Sequence, residues 1–196
     1  MKIFITFIIS FTLLISQSDE TLIDNWFDNH ISQMENLDVE IMFDYIIQSE
    51  FDSTTGSGKV IFSQNKNFQL SIEDKVISFN GQTWQTYNQS SNQIIIENPQ
   101  ADFYESIYFQ MENNLSKFNI ISGENEFHFL ILLSASSNSI NIEFSSDTYQ
   151  LSKIVIPSGN IVQTYENLDI QYIPKHPIQF YHLDIPNAFI IDLTEE

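Results

Sequence analysis

From Val39 onward the chain alternates apolar and polar residues in short runs closed by turn residues, and that period of two commits it to a largely β fold. Alternation runs through Val39–Phe51, Asp52–Ser57 supplies turn residues, and Gly58–Ser63 resumes as strand. Phe68–Ile72, Lys75–Phe79, Gln82–Tyr87 and Gln93–Glu97 follow, with Asn80-Gly81 as a two-residue hairpin signal between two of them. Connections this short leave no room for crossover helices, so the segments predict an antiparallel meander. After Pro99, Asp102 is placed to cap a second helix in which Phe103, Ile107, Met111 and Leu115 share one face. Strand patterning returns at Lys117–Ile121, Glu126–Leu133, Ser139–Phe144, Gln150–Ile156 and Asn160–Leu168, with Pro157-Ser158-Gly159 turning one hairpin. Pro174, Pro177 and Pro186 predict edge or irregular structure at the C-terminal end.

Ahead of the strands, residues 19–37 read as one amphipathic helix. Ile23, Trp26, Phe27, His30, Ile31 and Met34 form a continuous, unusually aromatic stripe. A sheet of about ten or eleven strands curls or closes because twist prevents it from staying flat. The expected architecture is therefore mainly β with an α-helical lid.

Residues 1–18 form a separate unit. Met1-Lys2 is a short basic start, Ile3–Ile15 is apolar apart from Thr6, Ser10 and Thr12, and Ser16-Gln17-Ser18 is a small-x-small cleavage pattern. A membrane span needs about 20 apolar residues, more than this run supplies, so 1–18 predict a cleaved signal peptide and 19–196 a single mature domain. Export places the domain outside the cytoplasm.

Charge excludes one class of partner. Seven Lys, no Arg and 26 acidic residues give a net charge of −19, which repels phosphate backbones and predicts no nucleic-acid binding. The absence of Cys removes disulfides, thiolate zinc sites and cysteine nucleophiles. Thr55-Gly56-Ser57-Gly58-Lys59 resembles the end of a phosphate loop. However, Ser53 and Val60 stand where that motif needs Gly and Ser or Thr, and a strand follows, so it reads as a hairpin turn. His30, His128, His176 and His182 are scattered without a metal-binding spacing, and no Gly-x-Ser-x-Gly elbow is present. The reading is a protein that is not an enzyme and carries no metal or cofactor.

What the residues offer instead is apolar surface beyond the needs of one face. Val60, Phe62, Phe68, Leu70, Trp84 and Ile96 are assigned to the sheet wall of a hydrophobic cavity, and Trp26, Phe27, Ile31, Phe103, Ile107 and Met111 to helices covering it. The ordinary alternative is that the same residues fill a closed core. A one-residue error in register inverts a strand's contribution.

The chain resembles the LolA family of periplasmic outer-membrane lipoprotein carriers. The likeness runs through Phe43–Gln48, Gly58-Lys59-Val60-Ile61-Phe62, Asn67-Phe68 and Asn80-Gly81-Gln82-Thr83-Trp84 with Tyr87, similar to the family's D-G-K-T-x-W-x-Y segment. It continues in Leu151-Ser152-Lys153-Ile154, in Gly159 and Tyr165-Glu166-Asn167-Leu168, and in Pro186 through Ile191-Asp192. The resemblance implies an incomplete, half-open antiparallel β-barrel with a helical lid enclosing a hydrophobic cavity. It also implies a monomer without cofactor that takes lipoprotein acyl chains from an inner-membrane ABC exporter to an outer-membrane acceptor in the periplasm. The family's lid-closing Arg matches Gln64 here. An alternative is a LolA-like lipid-binding or sensory module that transports nothing.

Overall fold

The computed structural model describes residues 19–63, 67–98, 119–122, 126–132, 139–145 and 150–194. Helix α1 spans Asp19–Met34, close to its expected extent. It ends where Asn36 N–H donates to the Gln33 carbonyl, and the Lys175 ammonium, 2.7 Å from the Glu35 carbonyl, caps the C-terminal end.

Among the described residues twelve strands form one sheet: β1 Leu37–Gln48, β2 Ser53–Phe62, β3 Phe68–Ile72, β4 Lys75–Phe79, β5 Trp84–Asn88 and β6 Gln93–Glu97 come first. They are followed by β7 Asn119–Ser122, β8 Glu126–Leu132, β9 Ser139–Ser145, β10 Leu151–Ser158, β11 Ile161–Pro174 and β12 Phe189–Asp192. The order across the sheet is β12-β6-β5-β4-β3-β2-β1-β11-β10-β9-β8-β7, so it is open, with β12 and β7 at its edges. Two meanders, β1–β6 and β7–β11, join along the long β1–β11 pair, which runs from Leu37↔Pro174 to Gln48↔Val162.

Several expectations change. Against the expected ten or eleven strands, the described residues hold twelve, because the proline-rich C-terminal stretch returns as β12 and pairs with β6 in parallel rather than antiparallel. The Gly56–Gly58 stretch is not a hairpin turn. It lies within β2, and the β1–β2 turn is Ser49–Asp52, where the Ser49 hydroxyl accepts from the Asp52 backbone N–H at 3.1 Å. The glycines sit opposite Tyr45 and Phe43, and a Cβ on Gly58 would stand 2.6 Å from the Phe43 ring, so rings lie where side chains would be. The Asn80-Gly81 connection is a four-residue loop in which the Asn80 side chain accepts from the backbone N–H groups of Gln82 and Thr83. Pro157 is inside β10, opposite Val162. An extra residue on β11 at Asn167, in the left-handed region at φ 54, makes a bulge against β1, and its amide donates to Asp44.

Candidate functional site

The alternation of β1 sends Val39, Ile41, Phe43 and Tyr45 to one face, and all four are buried. Register carries that face outward: Ile41 lies opposite Val60 and Val39 opposite Phe62, and these in turn lie opposite Leu70 and Phe68. Phe68 pairs with Phe79, and Phe79 with Trp84. The Phe68 ring is the centre of this row, with centroids 6.4 Å from Phe62, 6.0 Å from Phe79 and 5.3 Å from Trp84. On the other side of β1 the same face carries Tyr172 and Ile170, opposite Val39 and Ile41.

Helix α1 lies on this face. Trp26 meets Phe144 of β9 edge-on at 5.2 Å and stacks on His30 at 5.0 Å. Met34 is buried with Val39, Ile41, Phe43, Tyr45 and Val60. His30 is 5% exposed, and its Nδ1 stands 2.6 Å from the Tyr172 hydroxyl. Burial lowers the His30 pKa to about 4 and raises that of Tyr172. His30 is therefore neutral in this hydrogen bond.

The residues assigned to the sheet wall separate into two groups. Val60, Phe62, Phe68, Leu70 and Trp84 share the face that carries α1. Ile96 does not, because it pairs with Gln85, whose neighbour Trp84 points the other way; Ile95 holds the matching position. Trp26 and His30 reach β9 and β11, and Met34 shares a cluster with Val60 against which Phe62 and Leu70 of the row also pack. Phe27 and Ile31 belong to α1. Gln64, Phe103, Ile107 and Met111 lie outside the described residues.

The opposite face holds an arrangement that sequence reasoning missed. Gln69, Ser78 and Gln85 form one row across β3, β4 and β5, each opposite the next. The chain after β11 crosses this row as a strap. Gln69 donates to the Phe180 carbonyl at 3.0 Å, and Ser78 to that of Tyr181 at 2.8 Å, while Gln85 accepts from Leu183 N–H at 2.8 Å. Tyr181 and Leu183 are buried beneath it. Asp38, fully buried on β1, anchors the strap's start: its Oδ2 accepts from His176 N–H at 2.7 Å and the Tyr181 hydroxyl at 2.9 Å, with His176 Nδ1 at 3.0 Å. Burial first, and then the hydrogen bond to Asp38, raise the Tyr181 pKa, so its hydroxyl stays a donor. The sequence signal for it is Phe180-Tyr181, two aromatics inside an otherwise turn-rich stretch.

A groove of about 430 Å³ also opens on this second face, lined by Met42, Asp44, Ser57, Lys59, Ser71 and Glu73 among others. Hydrogen bonds from Ser57 and Asn167 hold the Asp44 carboxyl below its ordinary pKa. The groove mixes the apolar Met42 and Phe43 with the charged Asp44, Lys59 and Glu73. Among the described residues no three acidic or histidine side chains converge as metal ligands, and no helix is long and apolar enough to cross a membrane.

By fold and site, the chain is a mainly β protein on one open, antiparallel-rich sheet, with an apolar face under its N-terminal helix and a pinned strap behind. No protein-family profile matches it, and no curated relative matches it in sequence. Among solved structures it is similar to an uncharacterized conserved protein from Thermus thermophilus, at 8% identity over 86% of this chain and 98% of that one, with a TM-score of 0.52. That likeness shows a shared fold. Structural neighbours also include a LolA superfamily protein from Nitrosomonas europaea, at 8% identity over 78% of this chain and 97% of that one, TM-score 0.39. Another is an outer membrane lipoprotein-sorting protein domain from Vibrio parahaemolyticus, at 7% identity over 79% and 94%, TM-score 0.40.

Proposed function

We propose that the chain is an exported carrier that shields lipoprotein acyl chains against the apolar face of its sheet and passes them from an inner-membrane exporter to an outer-membrane acceptor. One observation carries this reading: Val60, Phe62, Phe68, Leu70 and Trp84 form a continuous apolar row on the face that also bears α1. The motif resemblance to LolA proteins supports it. In this reading the row is the lipid-facing wall, and α1 with the segment bearing Phe103, Ile107 and Met111 is the cover. The protein works by binding, without catalysis or cofactor.

The energetics constrain how such a carrier acts. Each buried methylene is worth about 0.8 kcal/mol, so a sixteen-carbon chain gains about 12 kcal/mol on leaving water. Release into solvent is then too slow to be useful, and cargo passes from one apolar surface directly to another. A cover that exchanges its own apolar contacts for lipid contacts keeps binding loose enough for that handover.

Titration with a fluorescent acyl probe tests the assignment. Leu70→Glu, which puts a carboxylate on the apolar row, is expected to weaken binding by about tenfold or more. Ile96→Glu, on the opposite face, leaves it within about twofold of the parent under the same cost argument. Equal losses, or none in either variant, count against the wall. A protein that binds the probe and does not yield it to outer-membrane vesicles is a lipid-binding module and not a carrier.

A further inference from the structure

We propose that the outer edge of β12 docks an extended polypeptide segment with basic flanks, which adds to the sheet as a further strand. In a parallel pair, a residue sends both its N–H and its carbonyl to the same neighbour. Phe189 N–H donates to the Asn92 carbonyl and Leu193 N–H to that of Ile96, so alternate residues face β6. Ile190 and Asp192 therefore direct their backbone groups outward. Among the described residues no strand pairs with that edge.

The edge is short and carries one charge, Asp192, but lacks the other common protections. Edge strands are commonly blunted by Lys, Pro or a bulge. Here Phe189-Ile190-Ile191-Asp192 has none of these, and Phe189 and Ile190 are 65% and 59% exposed. They point to opposite sides of the strand, so an added strand gains apolar contact on both. The strand is also held in place for pairing. Asn187, at φ 64, turns the chain into it and receives the Asn92 amide on its carbonyl, and the Asp192 carboxylate accepts from the Thr194 N–H and hydroxyl just past its end.

Charge selects the occupant. Asp184, Asp192, Glu195 and Glu196 follow Lys175 with no further Lys, and β6 ends in Glu97. Two copies of a chain at −19 repel one another at this edge, whereas a segment flanked by Lys or Arg is attracted. Main-chain pairing then supplies affinity, and the flanks supply selectivity.

The test uses the mature protein and a labelled peptide, acetyl-Lys-Lys-Val-Thr-Ile-Thr-Val-Lys-amide, titrated by anisotropy at low salt. A Glu-flanked version and a version N-methylated at alternate residues are the controls. Binding is expected to fall about tenfold or more with either control. Ile190→Pro deletes an outward N–H without touching the bonds to β6, and is expected to cost a similar factor. Amide exchange protection at Phe189, Ile191 and Leu193 shows whether β12 stays seated in that variant. If it does not, Ile190→Lys decides, since it keeps the N–H and repels the basic peptide. Undiminished binding of the N-methylated peptide overturns the proposal, as does parental affinity in a variant whose β12 is intact. A concentration-dependent dimer abolished by Ile190→Pro also overturns it, since the occupant is then a second copy. Acyl-probe binding is read separately, so this site and the carrier reading fail independently.

Discussion

On one face of the sheet, α1 rests on β1, β9 and β11 through Trp26, His30 and Met34, with aromatic and apolar packing and a hydrogen bond between His30 and Tyr172. On the other, residues 175–188 cross β3, β4 and β5 with one polar pin per strand, and Asp38 holds the start. Apolar packing contributes more per side chain, about 1.5–3 kcal/mol against about 1 for a hydrogen bond, yet it tolerates displacement. Directed pins do not. A helix seated mainly by apolar contacts can shift over its face, whereas a strap pinned at successive strands is fixed in register. The two covers are held differently, one largely by packing and one by directed hydrogen bonds.

Asp38 is the strap's costliest anchor to remove. Asp38→Ala strands the Tyr181 hydroxyl and His176 N–H in a buried setting and should cost about 3–5 kcal/mol, read by urea denaturation, with early loss of amide protection across the strap. An Asp38→Ala protein whose strap amides exchange at the parental rate would show that apolar burial of Tyr181 and Leu183 alone suffices.

The matching test on the helix face is pH. His30 is lowered from 6.5 to about 4 by burial. The unfolded chain therefore binds the extra proton first, and stability is lost as pH falls from about 6.5 towards 4, by about 3 kcal/mol in all. Below that the contribution is flat. His30→Gln should remove this part of the slope, and an NMR titration should show His30 still neutral at pH 5.5. A His30 that titrates near 6.5 would place α1 in contact with water.

Gly58→Val acts on the sheet between the two covers. Its side chain meets the Phe43 ring, and overpacking of this kind costs about 1–3 kcal/mol. Adding Phe43→Ala should recover part of that, which thermal melts of the single and double variants would show. Ser78→Ala removes one pin of the strap at about 1 kcal/mol, which gives the worth of one hydrogen bond there.

Much of the sheet was legible because its signals are local. β3, β4 and β6 have the bounds that alternation and turn residues assign, Phe68–Ile72, Lys75–Phe79 and Gln93–Glu97. The apolar row from Val60 to Trp84 follows from the same alternation once hairpin register links the strands. Ile96 went to the wrong face because Ile94-Ile95-Ile96 carries no alternation from which to read parity. Gly56 and Gly58 read as a turn because what they accommodate, Tyr45 and Phe43, lies on another strand. The strap was illegible for a different reason. Gln69, Ser78 and Gln85 look like the solvent side of three strands, and only the returning chain, 111 residues later for Gln69, 103 for Ser78 and 98 for Gln85's partner Leu183, covers them. Proline in that returning chain argued for irregularity, which is correct for its backbone and says nothing of its burial.

The β1–β11 seam sets the order in which such a chain assembles. The strands of β1–β6 and of β7–β11 each pair with their sequence neighbours, so both half-sheets have only short loops to close. The seam must bring Leu37 to Pro174, and loop-closure entropy makes that the slow step. Until it forms, the two longest strands of the molecule stand as bare edges with Phe43, Tyr45 and Tyr165 uncovered, and β12 cannot reach β6 until the chain beyond the seam has crossed the sheet. A folding chain caught at this stage consists of two half-sheets with matching open edges on every copy. The danger then is that β1 of one molecule pairs with β11 of another, so refolding yield should fall steeply with concentration even though the finished sheet hides both strands at its centre.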